Sequence, residues 1–435
     1  MFKELSFIIN TDCSTINIDA LNECYGTVCV LDSNSEFNDR KHLRYSKLIA
    51  ISATQELILT DVEDSFSRLR KFYDERKGWL FGYFTYDFKN KIEQLKSDND
   101  DGLGFPELCF FSPKVVLQII ENDVTVFYDE DFISQSEAEA IYKMAFSDQK
   151  ENVQENISKI SIESKITKDE YIAAVNQLKQ HISRGDSYEI NFCQEFFAEN
   201  TTINTVAIYE KLNAISRAPF SAYCKFNNHF LMCASPERFL QKRGNRLISQ
   251  PIKGTIKRSL DIEEDELLKL KLKNDEKERS ENVMIVDLVR NDLSRVAKRK
   301  SVNVDELFGI YSFKQVHQMI STISCEVKEN CDFAEIIKST FPMGSMTGAP
   351  KVSSMKLIEQ YESTKRGLYS GAVGYINPEG DFDFNVVIRS ILYNAENKYL
   401  SFMVGSAITD KADAEKEYEE CLLKAKAMFE VLGKL

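Results

Sequence analysis

The sequence predicts an α+β fold with large, mostly antiparallel β-sheets. Strand-like apolar runs recur along the chain, for example at 220–226, 229–234 and 246–252. Long helical patterns lie between groups of such runs, at about 260–298 and 413–433. The strands and helices do not alternate one by one, as they would in a parallel βαβ sheet. The strands are therefore expected to pair antiparallel.

The other predicted elements continue this mixed order. The clearest is a helix that begins after Thr167, because Thr167 and Glu170 have the spacing of a capping box and Gly185 follows the last apolar position. Further strands are predicted at 27–31, 78–86, 108–111, 187–197, 369–376, 382–393 and 400–404, and further helices at 332–340 and 350–362.

The composition is typical of a soluble globular protein. Of 435 residues, 43% are hydrophobic and 28% are charged. The net charge of −13 argues against a nucleic-acid partner and against an anionic membrane surface. The ten cysteines include no C-x-x-C pair and are expected to be buried thiols. With no signal peptide or membrane-spanning run recognised, the sequence predicts a cytoplasmic protein.

The motifs divide the chain unevenly. An N-terminal region is predicted at 1–145, and a polar connector follows at 146–165. The region 166–435 contains most of the candidate chemistry.

Two pairs of glutamates suggest a metal site. Glu278 and Glu281 are three residues apart, and so are Glu417 and Glu420. On a helix this spacing places both carboxylates on one face, and four carboxylates without histidine or cysteine suit Mg²⁺. The alternative is two solvated helix faces, since the chain has 68 acidic residues.

Two residues are candidates for proton transfer. Glu237, in S-P-E-R-F, follows an apolar run, and burial there would raise its pKa into the range of a general acid. It could equally form an ion pair with Arg238 at the end of a strand. His317, in Q-V-H-Q-M-I-S-T-I, is one of four histidines and could instead be a core residue.

Several segments could bind an anionic ligand. The loop F-P-M-G-S-M-T-G-A-P-K at 341–351 leads into a helix whose N-terminus could hold a carboxylate. Arg389 lies in an apolar strand and needs an anionic partner. Lys253, in P-I-K-G-T, lies against a Gly-Thr turn. It is either one more solvated lysine or one held there to meet a substrate.

Together and in this order, the motifs resemble the chorismate-utilising enzyme family. This family includes anthranilate synthase component I, aminodeoxychorismate synthase component I, and isochorismate and salicylate synthases. The resemblance is dense over about 165–435, and F-G-Y-F-T-Y-D and P-E-L-C-F-F extend it more thinly toward the N-terminus. The dense part includes G-D-S-Y-E-I-N, S-P-E-R-F, P-I-K-G-T, E-N-V-M-I-V-D-L-V-R-N-D-L, V-I-R-S and G-S-A-I-T-D.

The resemblance implies a fold, a cofactor and a site. The family fold is a sandwich of large antiparallel sheets flanked by helices, and its N-terminal portion packs into the same body. By resemblance, Glu278, Glu281, Glu417 and Glu420 bind Mg²⁺, which holds the ring carboxylate of chorismate. Glu237 and His317 would act at the C4 hydroxyl. The implied substrate-binding residues are Gly254, Thr255, Thr347, Tyr375, Arg389, Gly405, Ser406 and Ala407.

Two positions indicate which member the chain resembles most. The water-using members have a lysine where this chain has Glu189, so ammonia is the implied nucleophile. Lys253 matches the lysine of the members that form 4-amino-4-deoxychorismate, whereas members that form anthranilate have alanine. Lys253 would attack C2 before ammonia enters at C4, and a desolvated site beside Mg²⁺ is expected to lower its pKa.

The sequence also indicates a partner. It contains no cysteine in a G-x-C-x-G elbow of a glutaminase, so a separate glutamine amidotransferase subunit is expected to supply ammonia. Two alternatives stay open. One is anthranilate formation. The other is an inactive regulatory homologue, which the presence of Glu237, Lys253 and His317 disfavours.

Overall fold

A computed structural model of the chain describes residues 2–8, 16–34, 42–60, 64–148 and 160–433. The first elements are β1 (Phe2–Ile8), α1 (Ile18–Cys24), β2 (Thr27–Asp32), β3 (Lys47–Leu59), α2 (Ser65–Asp74), β4 (Leu80–Phe84), α3 (Lys89–Glu93), β5 (Leu108–Ile120), β6 (Asp123–Asp129), α4 (Gln135–Ala145) and β7 (Glu163–Ser164). Of the predicted connector, residues 149–159 lie outside the described residues.

The second part of the chain continues with longer helices and paired strands. They are α5 (Lys168–Arg184), β8 (Glu189–Ala198), α6 (Thr205–Ser216), β9 (Phe220–Phe226), β10 (His229–Ser235), β11 (Arg238–Arg243), β12 (Arg246–Gln250), β13 (Ile252–Lys257), α7 (Ile262–Asn274), α8 (Glu276–Ser294), β14 (Asn303–Ser312), β15 (Val316–Glu326), α9 (Phe333–Thr340), β16 (Gly348–Ala349), α10 (Lys351–Tyr361), β17 (Ala372–Ile376), β18 (Phe382–Val386), β19 (Ser390–Asn394), β20 (Tyr399–Ile408) and α11 (Ala414–Val431).

Strands from both parts of the chain pair with one another. β2 pairs with β9, and β4 pairs with β17. β8 pairs with β20 from Ile190 to Ala198 and also with the short β16. All pairings between the described strands are antiparallel, which confirms the predicted fold class. Among the described helices, none is long and apolar enough to cross a membrane.

The sheet is buried on both faces. Successive residues of a strand point to opposite faces, and in β2 both sets are buried: Cys29 packs into one apolar cluster and Val28 into another. The first cluster is formed largely by facing strands, including β4, β5, β11 and β17. The second cluster is covered by helices α4, α5, α6 and α11. Strand layers with helices outside them are the arrangement that the family resemblance implies.

The helix after Thr167 is confirmed together with both of its ends. The Glu170 amide donates to Oγ1 of Thr167 at 3.2 Å, and the Thr167 amide donates to Oε2 of Glu170 at 2.7 Å. The helix stops at Gly185, whose φ of +88° is in the left-handed region that favours glycine. Local hydrogen bonding therefore fixes α5 at the positions that the sequence indicated.

Three predicted elements are wrong in their continuity. The helix at 260–298 is two helices, because Asp275 interrupts it and accepts a hydrogen bond from the Glu278 amide at 3.1 Å, capping α8. The strand at 246–252 is interrupted at Pro251, which has no N–H to donate to a ladder. The strand at 382–393 is interrupted before Ser390, where Arg389 adopts a φ of +53°.

The junction between β4 and β17 supports a stability prediction. Gly374 faces Gly82 across this junction, and a Cβ at Gly374 would lie 2.0 Å from the Asp383 carbonyl oxygen. Because a backbone atom cannot move aside easily, Gly374→Ala is expected to reduce the free energy of unfolding by about 1–3 kcal/mol in urea titrations. Gly78→Ala is the control, since its nearest neighbour, at 3.1 Å, is the movable Phe2 ring. Equal stability of the two variants would contradict this reasoning.

Candidate active site

An irregularity in β13 positions Lys253. The register between β13 and β15 shifts between Ile252 and Thr255, so that Lys253 and Gly254 form a bulge. Gly254 has a φ of +96°, which favours glycine. From this bulge, Nζ of Lys253 donates to Oε1 of Glu189, on β8, at 2.6 Å. The Lys253 side chain is 11% exposed, so it is a largely buried, ion-paired lysine and not a solvated surface lysine.

The charges around Lys253 favour its protonated form. Burial alone would lower its pKa, but the carboxylates of Glu189, Glu281 and Glu237 together outweigh burial and raise it above the ordinary lysine value. The prediction that the pKa of Lys253 is lowered is therefore wrong as far as the protein's own groups determine that pKa. Any reaction in which this amine acts as a nucleophile needs a route for its proton.

Glu237 has the environment of a general acid. It lies between β10 and β11, is 5% exposed, and accepts a hydrogen bond from Oγ of Ser345 at 2.6 Å. Burial raises its pKa to about 7, although the Ser345 hydroxyl and the charge of Lys253 oppose the rise. Near neutral pH the carboxyl group can therefore hold and release a proton. Ser345 had no separate signal in the sequence, because it is one of many small residues in the 341–351 loop.

His317 is buried in β15 and is held at both ring nitrogens. Nδ1 is 2.9 Å from Oγ of Ser312, and Nε2 is 2.9 Å from Oδ1 of Asp265 on α7. Asp265 also accepts from the Arg258 guanidinium, which is the main reason why its pKa is lowered. These bonds connect β15 to α7 and do not join His317 to Glu237 or Lys253, so its catalytic role stays a prediction.

The four predicted metal ligands come from two neighbouring helices. Glu278 and Glu281 lie on α8, and Glu417 and Glu420 lie on α11. Nζ of Lys277 is 3.8 Å from a carboxylate oxygen of Glu281 and 3.8 Å from one of Glu417, so it lies between the helices.

Burial and mutual repulsion disfavour charge on most of this set. The pKa of Glu278 is raised to about 7 by burial and by the Glu281 charge. The pKa values of Glu281 and Glu417 are raised, mainly by burial. For Glu420, burial is outweighed by Lys424, whose Nζ is 2.6 Å away, and the pKa is lowered.

The donor set fits the chemistry of Mg²⁺. It consists of carboxylate oxygens, and partly buried carboxylates that repel one another favour a hard cation. Gly254 adjoins the set, since a Cβ there would lie 3.2 Å from Oε2 of Glu278. Within the described ranges, however, no three acidic, histidine or cysteine side chains are gathered closely enough to hold an ion. The carboxylates would have to converge on the metal as it binds.

Arg389 presents an uncompensated positive charge. It is partly buried between β18 and β19, and burial lowers its pKa while Tyr369 and Glu420 oppose that effect. In the described part of the chain its guanidinium has no hydrogen bond and no ion pair. Such a group suits the carboxylate of a ligand. Tyr369, which no sequence motif indicated, acts electrostatically on Arg389.

The other predicted binding residues lie in different places. The Thr347 carbonyl accepts from the Asn191 amide of β8 at 2.8 Å. Gly405, Ser406 and Ala407 of β20 pair with the same strand, opposite Cys193, Phe192 and Asn191 respectively.

For two predicted binding residues, the contacts seen in the described residues involve other groups, and their binding roles stay predictions. Thr255 is exposed on β13 and pairs with Gln318. Tyr375 is buried in an aromatic cluster, with ring centroids 5.8 Å from Trp79 and 5.9 Å from Phe81. The substrate-binding role of Tyr375 stays a prediction, whereas Tyr369 acts electrostatically on Arg389 and opposes the lowering of its pKa.

Arg366 is a supporting residue that sequence reasoning missed. Its buried guanidinium donates to the carbonyl oxygens of Met346, at 2.6 Å, and Asn191, at 2.7 Å. It is neutralised by Glu362, whose carboxylate also accepts from the Cys193 amide at 2.8 Å. Arg366 therefore fastens the 341–351 loop to β8. The i,i+4 spacing of Glu362 and Arg366 was the available signal.

Comparisons with known proteins identify a family and a fold. Residues 26–430 match the family described as chorismate binding enzyme. The chain is 31% identical over 378 residues to aminodeoxychorismate synthase component 1 of Bacillus subtilis (strain 168), a match that covers 82% of this chain and 77% of the relative.

A plant relative is similar over a smaller share of its length. The chain is 36% identical over 391 residues to a probable chloroplastic aminodeoxychorismate synthase of Oryza sativa subsp. japonica. The match covers 82% of this chain but 43% of the rice protein, so the chain spans less than half of that relative.

A solved structure has the same fold. Anthranilate synthase component I from Streptococcus pneumoniae TIGR4 superposes with a TM-score of 0.79 and 24% identity, covering 89% of this chain and 92% of that one. At this identity the similarity shows the fold alone.

The environment of Glu237 predicts a pH-dependent stability. Its pKa is about 7 in the folded protein and near the ordinary glutamate value of 4.5 in the unfolded chain, so its contribution to stability is present below pH 4.5 and is lost as pH rises through 7. Between pH 4.5 and 8, the free energy of unfolding in urea should fall by about 3 kcal/mol more for the metal-free wild type than for Glu237→Gln. The same pH dependence in both proteins would contradict a protonated Glu237.

Proposed function

Because the chain belongs to the family of chorismate binding enzymes, we propose that it converts chorismate and ammonia into 4-amino-4-deoxychorismate. The observation that carries this proposal is the position of Lys253. Its amine is held inside the site by Glu189, at 2.6 Å, and its charge acts on the buried Glu237. A buried amine and a buried acid that interact electrostatically suit an exchange of substituents on the ring.

The proposed reaction has two stages. The Lys253 amine attacks C2 of chorismate, the ring double bonds shift, and the C4 hydroxyl leaves as water with a proton from Glu237. Ammonia then attacks C4, the double bonds shift back, and Lys253 is released. Arg389 would bind a substrate carboxylate, because its guanidinium has no protein partner in the described part of the chain.

Mg²⁺ is proposed as the cofactor. Glu278, Glu281, Glu417 and Glu420 would hold it, and the bound ion would neutralise the ring carboxylate of the substrate. Two of the proposed ligands lie on α8 and two on α11, and Glu278 of α8 adjoins the bulge at Gly254.

We also propose that a separate glutamine amidotransferase subunit supplies the ammonia. Several relatives with this chemistry are named as component 1, as the Bacillus subtilis protein is. In solution, added ammonium at mildly alkaline pH can take the place of the partner.

The first experiment is a product assay. Purified protein, chorismate, Mg²⁺ and ammonium should yield 4-amino-4-deoxychorismate, identified by chromatography and mass spectrometry. Lys253→Ala should reduce the rate by at least about 10²-fold, because it removes the attacking amine. Lys257→Ala, an exposed residue of the same strand, is the control and should leave the rate unchanged. Anthranilate as the main product, or a fully active Lys253→Ala variant, would contradict the proposal.

The metal can be tested separately. EDTA should abolish product formation, and excess Mg²⁺ should restore it. Glu281→Gln should raise the Mg²⁺ concentration for half-maximal activity by about tenfold or more, because it removes a charged ligand. Glu276→Gln, exposed on the same helix, is the control. If EDTA has no effect, or if both variants respond to Mg²⁺ alike, the metal assignment is wrong.

A further inference from the structure

Glu189 is fixed in place by its backbone. It begins β8, and its carbonyl oxygen accepts from Oγ of Ser187 at 3.1 Å and from Oγ of Ser354 at 3.2 Å. Gly348, with a φ of +147°, passes so close that a Cβ there would lie 2.1 Å from this oxygen. The two serines and the close approach of Gly348 therefore define where the Glu189 side chain can reach.

The Glu189 carboxylate has one charged partner. The side chain is 2% exposed, and Oε1 accepts from Nζ of Lys253 at 2.6 Å. Oε2 is buried and has no hydrogen-bond partner among the described residues. A buried carboxylate normally has all its oxygens satisfied. The negative charge of Glu189 is thus stabilised by Lys253 and by no second donor in the described chain.

In the proposed function, Lys253 must lose a proton before it attacks, since an ammonium group has no lone pair. The carboxylates that act on it come from four places: Glu189 on β8, Glu237 before β11, Glu281 on α8 and Glu420 on α11. All of them favour the charged lysine. Among them, Glu189 is the carboxylate that is hydrogen-bonded to Nζ.

We propose that Glu189 is a catalytic residue that accepts the proton of Lys253 before the lysine attacks and returns it when the lysine leaves. This inference rests on the proposed function. An N–H bond of Lys253 breaks, an O–H bond forms at Oε1, and the ion pair becomes a neutral pair. No net charge is created, and the cost of a buried, uncompensated carboxylate is avoided.

The remaining steps balance with Glu237 as the second proton carrier. The Nζ–C2 bond forms, the C4–O bond breaks, and a proton from Glu237 completes the departing water, which leaves a positively charged secondary amine at C2. Ammonia then forms the N–C4 bond, and the C2–Nζ bond breaks with its electron pair on Nζ. The new ammonium group at C4 gives a proton to Glu237, and Glu189 gives its proton back to Lys253.

The test measures formation of the lysine adduct. Wild-type protein is mixed with chorismate and Mg²⁺ without ammonium and quenched at intervals. Mass spectrometry of the Lys253 peptide then follows the gain of one chorismate less one water. Glu189→Gln keeps the shape and a hydrogen-bond acceptor but cannot take the proton, and adduct formation should slow by about 10²-fold or more with an unchanged Kd for chorismate. Glu195→Gln is the matched control, a buried glutamate of the same strand bonded to Tyr399 at 3.1 Å.

A second variant separates proton transfer from structure. Glu189→Ala should be inactive, and added formate, a small carboxylate, should restore adduct formation in it but not in Glu189→Gln. Melting temperatures show whether each variant is folded. Adduct formation by Glu189→Gln at the wild-type rate or faster would overturn the role of Glu189 alone. Wild-type protein that gives neither adduct nor 4-amino-4-deoxychorismate would overturn the proposed function and this inference together.

Discussion

The buried ion pair between Lys253 and Glu189 is the interaction on which the site depends. It joins β13 to β8 across the interior, and each partner is fixed by a glycine that a larger residue could not replace without strain. Gly254 permits the bulge that holds Lys253, and Gly348 permits the close approach that holds Glu189. Loss of one partner would leave an unpaired buried charge, which typically costs about 3–5 kcal/mol.

The charged groups near this ion pair differ in how far the protein compensates them. Glu237 is buried without a full counter-charge, so it can hold a proton near pH 7. Arg389 is in the opposite condition, a cation without an anionic partner in the described residues. The carboxylates of α8 and α11 repel one another and favour a bound cation. In the proposed function, these groups would act on chorismate, an anion with a leaving hydroxyl group.

The sequence predicted what local chemistry determines and missed what depends on distant contacts. The capping box at Thr167 fixed α5 correctly, because its partners lie three residues apart. The single helix at 260–298 was wrong, since the capping role of Asp275 competes with helix continuation. The family motifs indicated Lys253 and Glu237. Glu189 was noted only as the residue that stands where water-using members have lysine. Its bond to Lys253 joins residues 64 positions apart and becomes visible only once the sheet is formed. The binding role of Tyr375 stays a prediction, and the electrostatic effect of Tyr369 on Arg389 could not be read from motif spacing.

The most direct test is a crystal structure of Glu237→Gln with Mg²⁺ and chorismate bound, since loss of the acid should arrest the reaction before water leaves. The quantity to measure is the distance from Nζ of Lys253 to C2 of the ring. The proposed mechanism predicts about 3–3.5 Å, the separation of a near-attack geometry, with Glu189 still hydrogen-bonded to Lys253. A ring bound with C2 out of reach of Nζ, or with Lys253 turned away from it, would contradict the account.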